Sequence, residues 1–141
     1  MDAWRFVRSL GTAASGIPIH GPQPWNIRNT EWCGARGMRW NHLRHKLQYL
    51  SLHNESPEVI VLHVGSNDLS SVPVSVLRSV MRTDILFLHD LFPNAKLVIS
   101  ALLPRLNWNV ECFPVDKLDK KRKLLNRFLK RLVYHLGGIR R

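Results

Sequence analysis

Val59-Ile60-Val61-Leu62-His63-Val64-Gly65-Ser66-Asn67-Asp68 decides the fold. Its first six residues form a short, nearly continuous β-branched and aliphatic run, the composition of a strand buried on both faces of a parallel sheet. Gly65 then permits a tight exit, and Asn67 can present its side-chain amide over the strand end. An amide in that position can donate to a developing negative charge. Asn, Asp and Ser also favour a plain helix-capping turn there, so the four residues alone admit both readings.

Moving outward, helical and strand patterns alternate on both sides. Downstream, Leu77, Met81, Ile85, Leu88 and Phe92 recur at helical spacing and stop at Pro93-Asn94; a strand is predicted over Lys96–Ala101. A last helix is predicted from Asp116 as N-cap, with Leu118, Leu125, Phe128, Leu129, Leu132 and Val133 inward and Gly137-Gly138 as its stop. Upstream, Trp40, Leu43, Leu47 and Leu50 mark an amphipathic helix ending near His53-Asn54, with Pro57 closing the connection. Asn26–Trp32 reads as a strand, Gly34 and Gly37 punctuate the turn after it, and Ala3–Leu10 reads as a short helix before a Gly- and Pro-rich loop. This alternation predicts an α/β fold, a three-layer α/β/α sandwich around a mainly parallel sheet. Chemistry in such folds sits beyond the carboxyl ends of the strands, which singles out the segments after Trp32, Val64 and Ala101.

The chain has 141 residues, 45% hydrophobic and 22% charged, which suits one globular domain. No apolar run approaches a membrane span and the opening residues do not form a secretory signal, so a cytoplasmic or nuclear protein without membrane contact is expected. Cys33 and Cys112 fall in no metal-ligand spacing, and the seven histidines are scattered; neither a metal site nor a cofactor is expected. Both cysteines read as reduced and at least half-buried. The net charge of +11 favours acidic or phosphate-rich partners. Much of it lies on the last helix, at Lys117, Lys120, Lys121, Arg122, Lys123, Arg127, Lys130 and Arg131. A solvated face and a weak contact with nucleic acid or an acidic partner are both open readings.

The stretch Pro57–Asp68 resembles the Gly-x-Asn-Asp block of the SGNH (GDSL-like) hydrolases, including the buried strand before it. Trp32-Cys33-Gly34-Ala35-Arg36-Gly37-Met38-Arg39-Trp40 is similar to that family's glycine block. The wording Arg-Gly-Met-Arg-Trp, with the later Leu-Pro-Arg-Leu-Asn-Trp, looks like SGNH domains of vertebrate and retroelement-derived proteins. The resemblance covers roughly residues 26 to 135, leaving residues 1–25 as a poorly defined helix and loop within one partial domain. It implies an SGNH/flavodoxin-like sheet, esterase or acyl-hydrolase ancestry and a small ester or acyl substrate. It also implies an oxyanion hole from the Gly37 backbone and the Asn67 amide, supported by Gly65 and Asp68.

The departures are as informative. Counting back from Gly37 by the family's spacing reaches Met1, so the nucleophilic serine and the first strand are expected to be missing. The last strand and the Asp-x-x-His block are expected to be missing too, and no aspartate of the chain has a histidine three positions on. Ser9, Ser15 and Ser66 lack the strand-then-turn setting of a nucleophile. An absent central first strand implies a sheet that closes by pairing its second strand with its third, or a chain that does not fold alone. Arg36 and Arg39 are candidate contacts for an anionic group beside Gly37, with exposure or pairing to Asp68 or Glu31 as the alternative. His63 and His89 read as satisfied core or helix-surface histidines, and Trp32, Trp40 and Trp108 as packing residues. The second class of function left open is a noncatalytic binding module that uses the basic C-terminal helix.

Overall fold

The computed structural model describes residues 3–7, 30–32, 37–53, 56–105, 114–137 and 139–140. In chain order these form β1 (Ala3–Val7), β2 (Thr30–Trp32), α1 (Leu43–His53), β3 (Val59–His63), α2 (Val74–Leu91), β4 (Lys96–Ile99), α3 (Val115–His135) and β5 (Ile139–Arg140). Short 3-10 turns at Trp40–His42 and Ser66–Asp68 lead into the helical segments. The class is α/β, as expected. The five strands form one sheet in the order β2-β1-β3-β4-β5.

The amino-terminal segment departs from the sequence reading. Ala3–Leu10 was expected to be helical, but Ala3–Val7 is a strand in the central slot between β2 and β3, antiparallel to both. The expected gap at the sheet centre is therefore filled, and the second and third strands do not pair with each other. Five residues are too few for helical periodicity to decide, and the Trp-Arg-Phe-Val run suits a strand equally well. The slot beside β3 decides the matter, because every backbone group left open along it costs roughly 1–3 kcal/mol. Since β1 leaves the sheet at Val7, opposite Thr30, its link to β2 needs no crossover. The other strands share one direction, with β3, β4 and β5 paired in parallel. The last strand, expected to be missing, is also present: Ile139–Arg140 extends the sheet beside β4, with Val98 opposite Ile139 and Ile99 opposite Arg140.

The helical stripes read from the sequence are the core. Trp40, Leu43, Leu47 and Leu50, then Leu77, Met81, Ile85, Leu88 and Phe92, then Leu118, Leu125, Phe128, Leu129, Leu132 and Val133 all lie in one buried cluster. Ile60, Leu62, Leu97 and Ile99 join it from the sheet. Val59, Val61, His63 and Val98, on the alternate positions, are only partly buried. So β3 is fully buried on one face rather than on two, and the described helices form a single layer. A second helical layer would fall outside the described residues.

Polar links hold this layer together. Asp84, buried on α2, accepts from Arg44 of α1 at 2.7 and 2.9 Å. Asn126, buried on α3, accepts from Leu102 N at 2.8 Å and donates to Leu102 O at 3.0 Å, fixing the exit of β4. Pro114, rather than Asp116, is the N-cap of α3; Asp116 stands in the first turn, where its charge suits the helix dipole. The helix stops at Gly137, whose φ of 71° is left-handed as a C-terminal glycine requires. Gly138 lies outside the described residues.

Candidate functional site

The loop leaving β3 turns at Gly65, whose φ is 111°. A Cβ at this position would stand 3.1 Å from Met81 Cε and 3.4 Å from the Trp40 ring, so the conformation favours glycine and the space above it is tight. That turn sends Ser66–Asp68 across the end of the sheet toward the segment before α1. Asn67 Nδ2 donates to Met38 O at 2.9 Å, and the Asp68 carboxylate accepts from Trp40 N at 2.9 Å. Consecutive side chains thus clamp the backbone on either side of Arg39. The two sequence blocks, twenty-nine and twenty-eight residues apart at these contacts, meet in space.

Arg105, on the segment after β4, completes the cluster. Its guanidinium donates to Asn67 Oδ1 from Nη1 and Nη2, at 3.3 Å each, and to the Ser66 hydroxyl. Both ends of the Asn67 amide are therefore engaged by protein. Ser66 is buried and held by Arg105, which is no setting for a nucleophile. Arg105 was not singled out in the sequence, although it stands in the Leu-Pro-Arg-Leu-Asn-Trp wording; a lone arginine in a loop carries no spacing signal.

Gly37 has a left-handed φ of 71°, is exposed, and would meet nothing within 4 Å if it carried a Cβ. Its neighbour Met38 makes the contact with Asn67, so the glycine block and the asparagine block are adjacent. Arg39 reaches Ser71 Oγ at 3.3 Å, rather than Asp68, and is exposed. Arg36, Ser9, Ser15, Cys33, Cys112 and Trp108 lie outside the described residues, as do the side chains of Glu31 and Trp32. Trp40 is buried as a packing residue, and its indole N–H has no acceptor among the described residues.

His63 and Ser100 form a second polar contact at the strand ends. They are neighbours across β3 and β4, with His63 Nδ1 and Ser100 Oγ 3.0 Å apart. A partly buried histidine satisfied by a cross-strand hydroxyl matches the reading of His63 as a core residue. His89 lies 3.9 Å from Asp90 on the surface of α2. Among the described residues no group of three or more His, Cys, Asp or Glu side chains could hold a metal ion. None of the described helices is long and apolar enough to cross a membrane.

No family model matches the chain. Over 64 residues it is 31% identical to the platelet-activating factor acetylhydrolase IB subunit beta homolog of Drosophila melanogaster. The likeness supports a hydrolase-like ancestry. It covers 45% of this chain and 28% of the relative, so the chain spans little more than a quarter of that protein in the match. At this coverage the finding reaches the SGNH superfamily at most.

Proposed function

We propose that this chain carries an SGNH-type acyl-hydrolase scaffold whose strand-end cluster has become a structural clamp, and that it does not hydrolyse esters by itself. The observation behind this reading is the engagement of Asn67. In an SGNH-like esterase that amide would donate to the oxyanion of the tetrahedral intermediate, and such a donor contributes about 3–4 kcal/mol to the transition state. Here one N–H of its nitrogen donates to Met38 O while its oxygen is held by Arg105, so the amide's orientation is set by the loops it joins. Asp68 is likewise committed to Trp40 N. The cluster fixes three loops to one another at the place where the resemblance would put an oxyanion hole.

The relative's name, an acetylhydrolase subunit homolog, makes a small acetyl ester the fitting probe. Purified chain is expected to turn over p-nitrophenyl acetate no faster than Asn67→Ala, and a serine-reactive fluorophosphonate is expected to label no residue. Turnover abolished by the fluorophosphonate and lost in Asn67→Ala would overturn the proposal and restore Asn67 as an oxyanion donor.

A further inference from the structure

The charge of the last helix is not one solvated face. Lys121 Nζ donates to Leu69 O and Val72 O at 2.6 and 2.8 Å, and Arg122 donates to Leu102 O at 3.0 Å. Arg122 and Lys123 also pair with Asp119, at 2.7 and 2.8 Å. One turn further on the pattern changes. Arg127 and Arg131 of α3 line a groove of about 520 Å³ whose opposite wall carries Arg78 and Arg82 of α2. No carboxylate lines it among the described residues, and none of the four arginines is in an ion pair there.

The floor is apolar. Leu124, Phe128 and Leu132 follow one another at four-residue spacing along α3, and Val74 closes the side. Phe128 and Leu132 belong to the core, whereas Leu124 is 46% exposed and is the apolar anchor the groove leaves open. Arg78 and Arg82 lie 5.0 and 5.5 Å from the Phe128 ring centroid. Cation–π contact holds these guanidiniums over the ring without neutralising them, and their N–H edges stay available to carboxylates. Each helix sets its two arginines four residues apart, an arrangement that costs some helix stability through like-charge repulsion. Among the described residues no ion pair offsets it.

We propose that the α2/α3 groove is a docking site for an acidic amphipathic helix of a partner protein. Such a helix sets an apolar side chain of its inner face against Leu124, while flanking Glu or Asp side chains meet arginine forks on both walls. A second copy of this chain is disfavoured as the occupant, because a two-fold contact would set these arginines against themselves. A phosphate backbone would use the charge but would leave the exposed Leu124 without an apolar counterpart. The proposal is independent of the hydrolase reading.

The test is fluorescence anisotropy with a labelled, designed peptide helix that carries a leucine stripe flanked by glutamates. A scrambled peptide of equal composition and a labelled DNA duplex serve as comparators. The leucine-stripe peptide is expected to bind, and Arg127→Glu combined with Arg131→Glu to weaken it by roughly tenfold or more. Leu124→Gln is expected to weaken it separately, and amide exchange should slow along residues 124–135 when the peptide is bound. Both arginines are exposed, and an unchanged unfolding midpoint would show that the double variant folds. Equal affinity for the scrambled peptide, tighter arginine-dependent binding of DNA, or no binding of the stripe peptide would each overturn the proposal.

Discussion

Two polar regions of this molecule solve opposite problems. At the carboxyl end of β3, Asn67, Asp68, Ser66 and Arg105 bond to one another and to the backbone of Met38 and Trp40. Along the α2/α3 groove, four arginines surround an apolar floor, and among the described residues no carboxylate lines it. Polar groups that satisfy each other inside a fold secure loops, whereas surface charge without a carboxylate partner adds little to the isolated chain. The first region is accordingly where stability should be sensitive to substitution, and the second is where binding should be.

The largest expected effect lies at Gly65. A side chain there must adopt a φ of 111° and press on Met81 and Trp40, so Gly65→Val should cost about 3–5 kcal/mol, read as the loss of the urea midpoint. Asp68→Ala follows, at about 2–3 kcal/mol, because it leaves the buried Trp40 N–H without its charged acceptor. Asp68→Asn keeps an acceptor oxygen and should recover at least half of that loss. Asn126→Ala should cost about 2 kcal/mol by stripping both hydrogen bonds from Leu102. The paired substitution Arg127→Glu with Arg131→Glu should change the midpoint by no more than about 0.5 kcal/mol. Equal destabilisation at both regions would dissolve the distinction between them.

How much of this was legible beforehand follows from which forces act locally. The stripes from Trp40 to Leu50, Leu77 to Phe92 and Leu118 to Val133 were read correctly because burial imposes helical periodicity on the sequence itself. β3 and β4 were legible as apolar runs bounded by turn residues, though the half-buried state of Val59 and Val61 was not, since it depends on what covers the second face. β1 was misread because five residues carry no decisive period and because its place is set by the open edges of β2 and β3. At the site, Gly65, Asn67 and Asp68 were marked by the loop chemistry, and the contact with the Gly37 block by resemblance. The role of Arg105 was hidden, since it depends on an approach across 38 and 39 residues of sequence to Asn67 and Ser66. The groove was hidden for a similar reason: Arg78 and Arg82 belong to a different helix from Arg127 and Arg131, and only packing joins them.

The smallest effect sharpens the contrast within α3 itself. Asp119 accepts from Lys123 first and Arg122 second, and these contacts hold its carboxyl below the usual value of 3.8. The folded state therefore binds fewer protons than the unfolded state just below that pH, and stability falls with falling pH in this window. The contribution of Asp119 is fully present above pH 3.8 and is lost as pH drops through the lowered folded value. Asp119→Asn should accordingly narrow its gap to the unsubstituted chain when urea midpoints at about pH 5 are compared with midpoints at about pH 2. Because the group stands half-exposed at the surface, added salt should shrink the gap at the higher pH as well. A gap that ignores both pH and salt would mean that the Asp119 triad is not an ion-paired turn. The amino-terminal half of α3 would then be as uncompensated as the half that lines the groove, and the placement of Arg127 and Arg131 would no longer mark that groove out.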